Sequence, residues 1–572
     1  MLSLVAAIVS LGLVVILTLV ALLGWGNLTW RALACERPAH ADTATAWLGY
    51  CAVAGVVEAL HLFVAIDWKV TLLLGAIGLA GCVGDSAGRG EFHALWQRTA
   101  GLAARYPWQT VLLGLLVLSW CLRAMAVPNN YDSGLYHFQS IRWMNEEPIV
   151  FGIGNLHWRL ALNQSYFGFL ALMNLAPFWN KGYAAGGICL LILTLATLIE
   201  TGLGQSARWR WIFGAGLLVF LGVVAGSTVN PSPDNAVALL EVAIFLLLFR
   251  ALQPCAADAS DARRNAMGAL ILCVAVFCTK FSSAAFVLGV IVILAVTLLR
   301  ANAIRQVFSP RVVIFAAVLG AVHLARGFIL SGAPFFPATW FGAWQLEWAV
   351  PIGTAQMETA LIQSWARLPG GDLSDAALQS NAWIRGWFAR QSGGTLALFA
   401  TGFVLTLANL ICLYRSRSDH AERAIFLLYV PTIAALAFWF LTAPDVRFLG
   451  AALVLFFLLS GYLAAAQLEP LTRRLTISRL SGAHRLAPLI FALACFGSAR
   501  YVGLSSLSLS GWMPVPVSPT VEKRTDSGAI VRLPESGNQC WNAPIPCASL
   551  FNSEIGRAEF FSHSMFFTIK PQ

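Results

Sequence analysis

Apolar runs of about 17–22 residues recur along the chain, separated by shorter polar stretches. Each is long enough to cross a bilayer as an α-helix, because a hydrocarbon core about 30 Å thick takes about 20 residues. The pattern predicts about fourteen spans, at 2–24, 46–66, 69–85, 109–127, 182–203, 210–227, 236–250, 265–280, 282–300, 311–330, 395–414, 424–442, 448–467 and 486–504. The first run, Leu2 to Gly24, has no basic residue ahead of it and exceeds the apolar length of a signal peptide, so it reads as a retained span. A further apolar stretch, Phe167 to Phe178, is too short to span and is expected at the interface or re-entering the membrane.

The polar stretches carry a direction. Basic residues gather in alternate loops: Arg31 and Arg37; Arg89, Arg98 and Arg105; Arg208 and Arg210; Arg250, Arg263 and Arg264; Arg300, Arg305 and Arg311; Arg415, Arg417 and Arg423; Arg473, Arg474, Arg479 and Arg485. With every span crossing once, these loops share a side, which the positive-inside rule makes cytoplasmic. The other side receives the loop 128–181, the turn 228–235 (TVNPSPDN), the junction at Lys280, the loop 331–394, the turn 443–447 (APDVR) and the tail 505–572. The expected architecture is an all-α integral membrane protein. A three-helix segment, 1–108, precedes a transmembrane core, 109–504, with external juxtamembrane helices and a small external C-terminal tail, 505–572.

Composition agrees. Of 572 residues, 58% are hydrophobic and 11% charged, against about 25% charged in soluble domains. The net charge of +10 follows from the basic cytoplasmic loops and calls for no nucleic-acid partner. CxxC, HExxH and P-loop patterns are absent from the sequence. Among the cysteines, Cys540 and Cys547 stand together in the tail, in NQCWNAPIPCAS, where an oxidising compartment favours a local disulfide. Short strands or irregular structure are expected around them.

Candidate chemistry concentrates on the external side. In PNNYDSGLYHFQSIRW, Asp132 stands where a carboxylate either caps a helix or acts as a base. Leu135, Phe138, Ile141 and Met144 recur every three residues, as in an amphipathic helix on the membrane surface, with His137 and Arg142 on its more polar faces. Further along, GIGNLHWRLALNQSYFGF packs Asn155, His157, Arg159, Asn163 and Gln164 between aromatics, a mixture suited to hydroxyl-rich ligands or to a loop packed on itself. Asp234 heads a span as a cap or a ligand group. Lys280 sits between two apolar runs, and Arg326 lies in the last turns of a span, where an arginine is expected to be paired or functional. Asp445 and Arg447 share one tight turn. Cations near a membrane interface suit a phosphate whose lipid tail lies in the bilayer.

The set YDSGLYHFQ, GNLHWRLALNQS, RGFILSGAPFFP, APDVRF and QCWNAPIPC resembles the GT-C superfamily of integral-membrane glycosyltransferases, over about 128–550. In that superfamily the first large external loop begins with an acidic residue just after a span, the position Asp132 matches. The resemblance implies a GT-C-like fold in a bacterial inner membrane with a periplasmic site. It implies a polyprenyl-phosphate-linked sugar donor and a glycan, lipid or protein acceptor. Asp132 would deprotonate the acceptor with His137 assisting, and Lys280, Arg326 and Arg447 would hold the lipid phosphate. His157, Arg159, Asn163 and Gln164 would position hydroxyls, joined at the site by Tyr131, Tyr136, Arg142, Asn230, Asp234 and Asp445. Backside attack would invert the anomeric centre. A divalent metal is compatible with this scheme, but the sequence shows no ligand set that demands one. Two features depart from the superfamily: three spans precede the one before the acidic loop, and no DxD or DE pair follows Asp132. Polymerase or ligase action on lipid-linked glycans, and lipid-glycan transport, are the competing expectations.

Overall fold

The computed structural model describes residues 2–33, 42–84, 86–203, 205–253, 259–300, 303–338, 346–370, 373, 375–415, 420–474, 483–503 and 507–568. Arg37, Arg417 and Arg479 of the basic loops lie outside the described residues, as do Cys35 and Cys255.

The protein is predominantly helical and reads as a multi-pass membrane protein. Among the described residues, ten helices are long and apolar enough to cross a membrane, beginning with Leu2–Ala32 and Thr43–His61 and ending with Arg423–Thr442. The other four expected spans fall on shorter apolar helices: Trp68–Val83, Arg210–Gly226, Ala452–Leu468 and Leu489–Val502. The outer helices leave large apolar side chains uncovered along their length, such as Leu13, Ile314 and Phe403. A water-soluble protein does not expose apolar surface on that scale, whereas hydrocarbon covers it at no cost.

The first three helices pack closely because small residues let their backbones meet. A Cβ on Gly24 would lie 1.7 Å from the carbonyl oxygen of Gly78. Helix Thr43–His61 then enters the interior, packing against Gly182–Leu203, Ala259–Thr279 and Pro310–Ser331. The segment 1–108 is therefore built into the core through its second helix. It also contains a helix the loop reading did not anticipate, Ser86–Arg105, which carries Arg89, Arg98 and Arg105.

The loop 128–181 forms a π-helical turn, Ser133–His137, running into an α-helix, Phe138–Glu146. The apolar residues that predicted a surface helix, Leu135, Phe138, Ile141 and Met144, are all buried. The expected helix exists but is enclosed. Its inner face packs on helix Ser165–Met173, and its other side meets the tail. Of the stretch Phe167 to Phe178, expected at the interface or re-entering, the part within helix Ser165–Met173 is buried between Thr43–His61, Phe138–Glu146 and Gly182–Leu203, whereas Phe178 is exposed.

The loop 331–394 contributes helices Ile352–Arg367 and Trp383–Arg390. Trp383 and Trp387 bury against Trp439 at the end of helix Tyr429–Thr442.

The tail forms two antiparallel hairpins. β1 (Thr520–Arg524) pairs with β2 (Ile530–Pro534), and β3 (Ile555–Phe560) pairs with β4 (His563–Thr568). β4 docks on the loop 128–181, where the Phe151 amide donates to Ser564 O and Phe566 N–H donates back to Phe151 O. Asn155 ties the same junction, donating to Trp348 O and accepting from the Thr568 hydroxyl. Cys540 and Cys547 are joined by a disulfide.

Candidate functional site

A cavity of about 1130 Å³ opens among these elements. The chain ends the apolar helix Pro107–Ala124 and delivers Tyr131, Asp132, Tyr136 and His137 to one wall. The turn Trp158–Ala161 and the residues on either side of it add His157, Arg159, Asn163 and Gln164. Asp234 comes from the first turn of helix Pro233–Leu252, Lys280 from the break between two helices, and Asp445 and Arg447 from the turn before helix Ala452–Arg474. Twelve of the residues singled out in the sequence thus face one space, although 316 positions separate Tyr131 from Arg447.

At its centre runs a chain of charges. Asp132 does not cap its helix; its side chain makes no bond to the first-turn amides. Its Oδ1 accepts from Arg159 Nη1 at 3.0 Å and its Oδ2 from Arg447 Nη1 at 3.2 Å. Arg159 also reaches Glu358 Oε1 at 3.0 Å, and Arg447 reaches Asp445 Oδ2 at 3.1 Å. Asp234 pairs with Lys280. Phe448 lies beneath both cations, with Lys280 Nζ 4.2 Å and Arg447 Cζ 5.1 Å from its ring centre, a placement the negative ring face favours.

Burial shapes the titrating groups. His137 is buried beside Ser133, and burial lowers its imidazole to about 3, so it is neutral and a weak base. Burial likewise lowers His157 to about 3, with the Arg159 charge adding to the effect. Arg159 N–H donates to His157 Nδ1 at 3.1 Å, so the proton of the neutral ring sits on Nε2. Glu358 is raised by burial, against the lowering effect of Arg159.

Four sequence candidates do not line the cavity; Asn155 is one of them, taken up at the junction with β4. Arg326 is buried one layer behind it, donating to His61 Nδ1 at 2.7 Å and lying 3.6 Å from Glu58. A guanidinium at that depth needs a carboxylate, and Glu58 on the second helix supplies it. Arg142 bonds Glu146 at 2.6 Å and Asn542 O at 2.7 Å, tying the helix to the tail. Asn230 Oδ1 accepts from the backbone amides of Asn129 and Asn130 at 2.9 and 3.0 Å, fixing the approach to Asp132 rather than meeting a ligand.

The structure adds residues that sequence reasoning missed. Glu358, 1% exposed, accepts from Trp158 Nε1 at 2.7 Å and from Arg159. It is the only acid in helix Ile352–Arg367, an isolated charge that could have flagged it. His323 and Asn538 also line the cavity. Glu58 and His323 are ionisable groups inside predicted spans, a signal for function or pairing on its own. Glu58, Cys278 and His323 place ligand-type atoms within 4.8 Å of one another. Glu58 already accepts from His323 at 3.0 Å and faces Arg326, so the carboxylate is balanced without a metal.

The remaining wall is apolar: Phe277, Phe335, Phe336, Leu361, Ile362 and Phe438. The cavity thus joins an ionic floor to a hydrophobic side, the two halves of an amphiphile.

No curated protein matches the chain. Residues 8–454 match a family model described as a domain of unknown function (DUF8201). With most of its length inside that model, the chain belongs to the DUF8201 family.

Proposed function

We propose that this protein is a membrane glycosyltransferase of GT-C type, taking a sugar from a polyprenyl-phosphate donor to a cell-envelope acceptor at a site on the external, periplasmic side of a bacterial inner membrane. In this reading all fourteen apolar helices span, and the basic loops lie in the cytoplasm. The observation that carries the proposal is the cavity itself. Asp132, Arg159, Lys280 and Arg447 converge there beside an aromatic and aliphatic wall, which offers an isoprenoid phosphate both of the surfaces it needs.

The charge chain suggests how the site would work. Each cation already has a carboxylate, so an incoming phosphate binds by exchanging partners. Both arginines bridge two carboxylates, but the Arg447 side chain is 49% exposed against 22% for Arg159, so Arg447 is the member an incoming phosphate reaches first. As Arg447 turns to the phosphate, Asp132 Oδ2 is freed to accept a proton from the acceptor hydroxyl. Arg447 and Lys280 then neutralise charge growing on the leaving phosphate. His157, Asn163 and Gln164 meet sugar hydroxyls. His137 serves as a neutral hydrogen-bonding wall, and Arg326 leaves the phosphate-binding set for a structural one.

The test is incubation of purified protein with a panel of radiolabelled polyprenyl-phosphate sugars and envelope acceptors. Retention of a donor and transfer of label support the reading. Neither retention nor transfer with any member would sink it.

A further inference from the structure

The tail, residues 505–572, lies beyond the part of the chain that matches the family model, yet Asn538, Ser549 and Leu550 line the cavity. We propose that the disulfide-closed loop Cys540–Cys547 is a positioning element of this cavity. It holds the helix that carries Asp132 and sets Asn538 in the wall, so that assembly of the site depends on the bonded cysteine pair.

The argument rests on what the loop touches. Trp541 N–H donates to Gly134 O at 2.7 Å. Gln139 Nε2 donates to Trp541 O at 3.0 Å and to Ala543 O at 2.8 Å, and Arg142 to Asn542 O at 2.7 Å. Just ahead of the loop, Gln539 Nε2 donates to Tyr131 O at 2.8 Å, and Asn538 Nδ2 donates to the Tyr131 hydroxyl. Tyr131, Gly134, Gln139 and Arg142 follow or flank Asp132 along one helical path. The fit is close: a Cβ on Gly134 would lie 2.5 Å from Trp541 Cε2.

A helix this short has little stability of its own, so its place is set by what packs on it. Its inner face has helix Ser165–Met173; this loop supplies the other side. Three consecutive residues, Trp541 to Ala543, must present their carbonyls to Gln139 and Arg142 together. That demands one backbone path, and a covalent closure between Cys540 and Cys547 removes the alternatives. The far side of the loop is anchored to β2, where Arg532 N–H donates to Pro546 O and Ala548 N–H to Arg532 O. The strap therefore runs from the hairpin to the Asp132 helix through the bonded pair.

The experiment uses the full chain in lipid nanodiscs, read by hydrogen–deuterium exchange and by 19F NMR of 3-fluorotyrosine, with the Tyr131 resonance assigned through Tyr131→Phe. Wild type is compared with dithiothreitol-treated protein and with Cys540→Ser/Cys547→Ser. Loss of the disulfide is expected to speed exchange over 133–139 by roughly tenfold or more, with helix Pro233–Leu252 unchanged. The Tyr131 resonance should shift with it, and reoxidation of wild type should restore both. If the double variant fails to fold, the reduced wild type carries the test; if the buried pair resists dithiothreitol, the variant does. Unchanged exchange and an unmoved Tyr131 resonance in disulfide-free protein would overturn the proposal. Neither readout needs a substrate, so the result is separate from that of the donor panel.

Discussion

Arg447 Nη1 lies 3.2 Å from Asp132 Oδ2, joining the turn before one helix to the entrance of a loop 315 residues earlier. The pair makes two roles separable. Asp132→Asn keeps the shape and an acceptor oxygen for one arginine, turns an NH2 toward the other, and removes the proposed base. It should lower transfer by about 10²–10⁴-fold while donor retention persists. Arg447→Ala removes the charge-assisted contact proposed to phosphate, which should weaken retention by about 1.5 kcal/mol, roughly tenfold. Donor titration and single-turnover transfer measure the two effects. Equal loss of retention in both variants would show that Asp132 is part of the binding lattice only.

Arg326 is predicted to behave differently from Arg447. Arg326→Ala strands Glu58 in the interior, and breaking a buried pair from one side costs about 3–5 kcal/mol. Thermal unfolding in detergent should shift down strongly. Glu58→Gln combined with Arg326→Met removes both charges and should recover much of the loss. If Arg326→Ala unfolds like wild type yet fails to retain donor, Arg326 belongs with the phosphate ligands after all.

How the sequence revealed some of this and hid the rest has a physical cause. Spans are legible because a bilayer imposes a length that Leu2–Ala32 or Pro310–Ser331 must meet. Lys280 and Asp234 were legible because a charge at a helix end between apolar runs has few places to go. Glu358 was hidden because its meaning comes from Trp158 and Arg159, 200 and 199 residues away, and no local pattern encodes that pairing. Arg142 and Asn230 were misread for the converse reason. They look like ligand groups, but Arg142 is taken up by Glu146 and the Asn542 carbonyl, and Asn230 by the backbone amides of Asn129 and Asn130. The enclosed Asp132 helix shows the same limit: its periodicity announced an apolar face without saying that protein, not lipid, would cover it.

His137 and His157 give a pH prediction. Both are held near 3 by burial, against an ordinary 6.5. Between those values the unfolded chain binds protons that the folded chain does not. The stability they contribute is complete above pH 6.5 and erodes as pH falls toward 3, by about 1.4 kcal/mol per pH unit for each histidine. The melting temperature should therefore fall between pH 7 and pH 4.5, and His157→Gln should flatten the decline. Parallel curves for variant and wild type would remove His157 from the account.

Gly450 makes the most local demand on the site. Its backbone has φ +58° and ψ −133°, a region that residues with a Cβ avoid. A Cβ there would also lie 2.2 Å from Glu241 Oε2. Glu241, buried in helix Pro233–Leu252, accepts from Ala451 N–H at 2.7 Å and so fixes the start of the helix that follows the Arg447 turn. Gly450→Ala must displace that turn or break the Glu241 bond, at a cost of about 1–3 kcal/mol in backbone strain before the clash is counted. Donor retention should drop as in Arg447→Ala, with a lower melting temperature that Arg447→Ala does not share. Gly114→Ala is the control: among the described residues, nothing beyond its own helix backbone and chain neighbours stands within 4 Å of its added methyl, and a helix-interior glycine replaced by alanine gains about 0.5–1 kcal/mol. If Gly450→Ala retains donor like wild type, the geometry of the Arg447 turn does not govern phosphate binding.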